Sequence, residues 1–318
     1  MSVGFFRISA MTATKIRVSA VILAVLLSSQ ASFGATLEVG PQKTYKMPSE
    51  AIAAAKDGDH IAIAPGEYFD CAAWKTDHLV VEGTGPGVVI TDKTCNGKGI
   101  FVIGAPNATV RNLTLTRARV PDMNGAGIRL DQGNLTVEGV SFINNQNGIL
   151  GGIAGNTVII RNSDFVKNGT CEGSCAHGIY IADVDLLQVE NSRFSETHQA
   201  HSIKSRALRT EVTGCTFKDG PDGTSSYLID IPNGGAVVVR GNKMEKGPKS
   251  ENHTTAIAIG EEGITHRTPE ISVTDNEFTN DGSYPTFLVW NMTATPAMLK
   301  GNKITGSVTP LKGDGEAH

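Results

Sequence analysis

The hexapeptide Val189-Glu190-Asn191-Ser192-Arg193-Phe194 is apolar at both ends, has asparagine third and a small polar residue fourth. The same pattern begins at Val110, Val137, Ile160, Val212, Val239, Val273 and Leu299, at intervals of 23 to 34 residues. Intervals of this length indicate stacked supersecondary units, not separate domains. The third position is Asn112, Gly139, Asn162, Asn191, Gly214, Gly241, Asp275 or Gly301. These residue types tolerate a left-handed backbone, so the hexapeptide predicts a bend between two short strands. The fourth position holds Ser163, Ser192, Cys215, Asn242, Asn276 and Asn302 in the last six copies. Stacked about 4.8 Å apart, these would form a buried polar ladder.

A second apolar segment follows each bend, as in Gly178-Ile179-Tyr180-Ile181 and Leu228-Ile229-Asp230-Ile231. Strand periodicity and the density of Gly and Asn exclude helical repeats. The segment 47–56 is the one good helix, with Pro48 near its start and Ala-rich beyond; it predicts a cap for an otherwise open sheet edge.

The chain has 318 residues, of which 40% are hydrophobic and 19% charged. That excludes a disordered chain. The formal charge of −4 excludes a non-specific nucleic-acid binder. Lys15 and Arg17 precede an apolar run over 18–27, and small residues follow to Ala35, the pattern of a secretory leader cleaved after Gly34. Met11 is an alternative start. Removing 1–34 takes away three basic residues and no acid, leaving 25 − 32 = −7. The expected organisation is a leader over 1–34, one domain over 35–311 and a disordered tail over 312–318. The exported body would be secreted or periplasmic, with no membrane span left after cleavage. An oxidising compartment favours Cys71–Cys95 and Cys171–Cys175 disulfides over a zinc site. Cys215 falls in the polar ladder and is expected to be a buried structural thiol.

The cap from Tyr45 through Asp57-Gly58-Asp59 to Pro65-Gly66-Glu67-Tyr68, together with the coil repeats, resembles the right-handed parallel β-helix proteins of the pectate-lyase-like superfamily over 36–310. The resemblance implies an all-β, single-stranded right-handed parallel β-helix of about nine coils with an N-terminal capping helix. It leaves the reaction open, since that superfamily hosts lyases, hydrolases, epimerases, esterases and non-catalytic proteins.

Aligning the second segments on their inward isoleucine gives one outward column: Arg129, Leu150, Tyr180, Lys204, Asp230, Ala258, Val289. His177 and His201 lie two residues before the aligned isoleucines. Arg206 follows Lys204 on the same side if the strand continues, and the long loops 167–176 and 218–226 flank the group.

The strand His201-Ser202-Ile203-Lys204-Ser205-Arg206 resembles the Lys-Ser strand of the family containing alginate lyases and chondroitinase B. The resemblance implies that Lys204 is the base of a β-elimination on an acidic, uronate-containing polysaccharide. Such a reaction also needs a neutralised carboxylate and an acid for the leaving oxygen. Arg206 or Arg209 would bind the carboxylate, and Tyr180, Tyr227 and His201 are alternatives for the acid. Asp230 completes the catalytic group, with Arg129, His177, Arg209 and Tyr227 as substrate-binding residues.

The sequence departs from that family in two respects. The next coil has no Arg-His pair, and the calcium-binding acids fall on Thr197 and Gln199, so no metal or other cofactor is expected. The alternatives are a hydrolase using Asp230 with Asp183 or Asp185, an epimerase, and a non-catalytic carbohydrate-binding or envelope-structural β-helix. Gly260-Glu261-Glu262-Gly263 is expected to be a turn. An acidic body would need a local basic patch at Lys204, Arg206 and Arg209 to hold an anionic polymer.

Overall fold

A computed structural model describes residues 1–4 and 34–318, with all its helices and strands between Thr36 and Ala317. The body of the expected leader lies outside the described residues. The chain winds through three parallel sheets. One has twelve strands and two have ten, giving about ten turns. Each turn passes from the twelve-stranded back sheet (Leu186–Glu190, for example), round the predicted bend, into a side sheet (Arg193–Ser195). It then crosses a loop of variable length to the front sheet (Ile203–Ser205).

The bend is where sequence and backbone agree most closely. All eight third-position residues have positive φ, from 48° at Asn191 to 69° at Gly301. Glycine is required where coils approach closely: a Cβ on Gly214 would lie 2.6 Å from the Asn191 side-chain oxygen of the coil below. One residue later, the ladder forms. Asn242 donates its side-chain amide to Asn276 Oδ1, and Asn276 to Asn302 Oδ1, each at 2.9 Å. Ser192 Oγ accepts the Ser163 N–H at 3.2 Å. Cys215 sits among them, its thiol pushed up to about 12 by burial, which makes it inert. The sixth position stacks as well: Phe142, Phe165, Phe194 and Phe217 lie face to face at 4.7, 4.8 and 4.7 Å.

The capping helix covers Pro48–Ala54, shorter than the expected 47–56, and buries Ala51 and Ile52 against the first coil. Both expected disulfides are present. The tail expectation is overturned. Gly315–Ala317 forms the last strand of the back sheet and pairs with Ala297–Leu299, so the register of the coil below orders it.

Asn276→Ala would leave the Asn242 amide and backbone N–H without their acceptor. A buried donor left unpaired costs roughly 1–3 kcal/mol, so chemical denaturation should show a loss of about that size. Asn252→Ala, outside the ladder, serves as the control.

Candidate functional site

Three neighbouring front-sheet strands, Ile179–Ile181, Ile203–Ser205 and Ile229–Ile231, build the site. Their isoleucines 179, 203 and 229 are fully buried in the core. Alternation therefore turns Tyr180, Lys204 and Asp230 outward, and the register stacks them in that order. Lys204 Nζ lies 2.8 Å from Asp230 Oδ2 and 2.6 Å from Glu262 Oε1. Arg206 donates Nε to the Tyr180 hydroxyl at 3.0 Å, Nη2 to Glu262 Oε2 at 2.5 Å and Nη1 to Asn233 Oδ1. Glu262 thus bridges both cations from the turn that begins at Gly260. Lys204 is only 6% exposed, whereas the Glu262 side chain is 40% exposed.

Beside this group runs a ladder of side-chain acceptors. Asn147 Oδ1 accepts the His177 N–H at 2.7 Å, His177 Nδ1 accepts the His201 N–H at 3.2 Å, and His201 Nδ1 accepts the Tyr227 N–H at 3.1 Å. The His177, His201 and Tyr227 rings stack at 4.9 and 5.0 Å. A backbone N–H can only donate, so each imidazole must carry its proton on Nε2. Burial also holds both imidazoles neutral. It pushes His177 down to about 3, and His201 well below its usual value. The His201 Nε2–H faces Asp230 Oδ2 at 3.5 Å. A neutral His201 has no ionisable proton to give as the acid.

Burial pushes Asp230 up to about 7, against the pull of Lys204, and its Oδ1 has no partner. Burial pulls the Lys204 ammonium down, but Asp230 and Glu262 outweigh it and hold its affinity for its proton above the usual lysine value. His201, Asp230 and Glu261 present ligand atoms within 4.8 Å of one another. As arranged they do not suit a cation. The outward nitrogen of His201 bears a proton, and the Lys204 ammonium already occupies Asp230 Oδ2.

The remaining expected residues divide. Arg129 is on the same face, two strands below Tyr180 with Leu150 between, paired with Asp131 at 3.6 Å. Tyr227 is buried, and burial together with Glu261 raises its phenol, so it is a poor proton donor. Arg209 is not in the site. It begins the back-sheet strand Arg209–Thr213, round the corner, and pairs with Glu211 at 2.5 Å and Glu270 at 3.2 Å. Asp183 pairs with His266, and Asp185 accepts the Gly155 N–H, so neither is Asp230's partner. Thr197 bonds Ser202, and Gln199 bonds the Cys171 N–H of the disulfide loop. Glu262 and Asn233 are the residues that the sequence did not bring forward as part of this group.

A parallel β-helix presenting a polar cluster on one sheet face defines the class. Within it, the chain belongs to the right-handed β-helix family described as "Protein of unknown function (DUF1565)", whose model matches residues 36–243. Among curated proteins none matches the sequence. Among solved structures, an alginate lyase from Paenibacillus sp. str. FPU-7 is similar over 89% of this chain and 99% of its own, at 16% identity and a TM-score of 0.61. A pectin methylesterase from Aspergillus niger shares 12% identity over 90% of this chain and 92% of its own, with a TM-score of 0.44. The A-module of a mannuronan C-5 epimerase from Azotobacter vinelandii shares 14% over 85% and 93%, with a TM-score of 0.37. At these identities the likeness is one of fold.

His177 binds no proton in the fold until about pH 3, whereas a free imidazole does so near pH 6.5. Its contribution to stability is complete above about pH 6.5 and is lost as pH falls toward 3. Melting temperature should therefore drop between about pH 6.5 and pH 4.5, and the drop should be smaller in His177→Asn.

Proposed function

We propose that this protein cleaves an acidic, uronate-containing polysaccharide by β-elimination, with Lys204 as base, Tyr180 as acid and Arg206 neutralising the uronate carboxylate. One observation carries the reading. A single carboxylate, that of Glu262, already bridges Lys204 and Arg206, and Arg206 also bonds the Tyr180 hydroxyl. A uronate carboxylate taking that place would sit among the three groups the reaction needs. The fold shared with an alginate lyase supports the same substrate class.

Neutral Lys204 takes the proton from C5. The electron pair forms the C4–C5 double bond, the C4–O bond breaks, and the departing oxygen takes the Tyr180 proton. One proton is gained and one given, so the protein ends with the number it began with. Substrate that displaces Glu262 removes one of the two anions that hold the Lys204 proton, which moves Lys204 toward its neutral form. Lys204 and Arg206 are both paired with carboxylates, so they attract an anionic chain only as it displaces Glu262.

A non-catalytic glycan-binding role is the second reading. It is favoured by the burial of Lys204 and its pairing with two carboxylates. Both readings suit an exported protein, and the two disulfides suit an oxidising compartment.

Incubation with a panel of polyuronates should give the short-wavelength ultraviolet absorbance of an unsaturated uronate. Loss of one acid or base costs on the order of 10²–10⁴-fold, so Lys204→Ala and Tyr180→Phe should each lose that much turnover while still binding. Binding without product on every polymer would leave the second reading. Glu262→Gln removes an anion beside Lys204, so the acid limb of the pH–rate profile should move down by about one unit. A limb that stays in place would exclude Lys204 as the titrating base.

A further inference from the structure

Two departures from the expected pattern place another group on the site's face. In the strand Thr286–Asn291, Leu288 and Val289 both turn into the core. Trp290, not Val289, therefore pairs with Ala258, which pairs with Asp230, which pairs with Lys204. Trp290 stands three strands from Lys204, about 14 Å at roughly 4.8 Å per strand. The segment expected to be a tail begins with Lys312, which instead ends the strand Val308–Lys312 as the register partner of Trp290. Its ammonium lies 3.8 Å from the Trp290 ring centroid and 5.6 Å from that of Phe287. Among the described residues no carboxylate pairs with Lys312, whereas Lys204, Arg206 and Arg129 all have one.

We propose that Trp290, Phe287 and Lys312 form a distal subsite for one uronate unit of a polysaccharide whose reacting unit lies at Lys204. The inference rests on the substrate class proposed above. An aromatic face takes the C–H face of a pyranose, and an ammonium without a counterion takes its carboxylate. Lys312 is exposed, and a cation–π contact at an exposed site is weak. The ammonium can therefore slide off the indole toward a sugar carboxylate while the ring stacks beneath. The length of a unit in an extended pyranose chain is close to the strand spacing, so about three units would span the distance to Lys204.

The protein has two tryptophans, and Trp74 is 6% exposed, so a change in emission on ligand binding reports on Trp290. Alginate octamer and trimer would be titrated against the mature protein, with cellulose-type octamer as the neutral control. The alginate octamer should quench emission, and the neutral octamer should not. Trp290→Ala and Lys312→Gln should each weaken octamer binding about tenfold, Trp290→Phe should restore most of it, and KM for the trimer should change less than twofold. Unaltered octamer affinity in Trp290→Ala and Lys312→Gln, or equal quenching by the neutral octamer, overturns the subsite. The two claims separate. An octamer that quenches Trp290 but is never cleaved keeps the subsite and removes the elimination. An octamer cleaved with normal KM in both variants does the reverse.

Discussion

Everything in this molecule depends on successive coils lying in register one strand spacing apart. Once a residue is fixed on one coil, its counterpart on the next is fixed above it, so a single favourable contact is repeated along the axis. The left-handed bend residue sets that register. Its positive φ at Asn191, Gly214 and six other positions turns the chain at the same point in each coil. The amide ladder at Asn242, Asn276 and Asn302 and the phenylalanine stack follow on either side. Polar and apolar groups therefore alternate inside the solenoid, and at Ser192, Asn242, Asn276 and Asn302 a side-chain oxygen meets a backbone N–H of the neighbouring coil.

The same register concentrates charge. Stacking Tyr180, Lys204 and Asp230 brings together groups that would be separated in a solvated loop, and His177 and His201, on the coils of Tyr180 and Lys204, add neutral imidazoles in place of further charge. The outcome is a buried acid with a raised affinity for its proton, beside a lysine held by two anions. The proton of that pair stays on Lys204, and Glu262 is one of the two anions that hold it there.

Much of this was legible before any coordinates. The hexapeptide spacing showed the stacked units, the bend position and the ladder, because each rests on a local requirement repeated many times, and the resemblance to pectate-lyase-like proteins made the stack a parallel β-helix. Alternation about the inward isoleucines placed Tyr180, Lys204 and Asp230 on one face. Alternation failed at Trp290, because two consecutive residues, Leu288 and Val289, both enter the core. Arg209 was misplaced because a corner of the coil separates it from Arg206, and three residues suffice to change sheets. Glu262 is distant from Lys204 in sequence and reaches it only through the longest coil interval, the 34 residues from Val239 to Val273. That length was the available signal, since extra residues at a corner must go somewhere. The imidazole tautomers were beyond any pattern, for they depend on which backbone N–H lies above each ring.

Cys215 occupies the one rung of the bend ladder built from sulfur. Amide rungs lie on one side of it and hydroxyl rungs on the other. Its thiol donates weakly to the Val189 and Thr213 carbonyls at 3.6 and 3.5 Å, where the rungs on either side carry oxygen acceptors. In a linear array whose cooperativity passes from neighbour to neighbour, the loosest coupling is where one block of coils can open while the other stays shut. The sulfur rung belongs to the coil bearing Lys204, so the polar cluster of the front sheet lies beside the weakest-paired rung of the ladder.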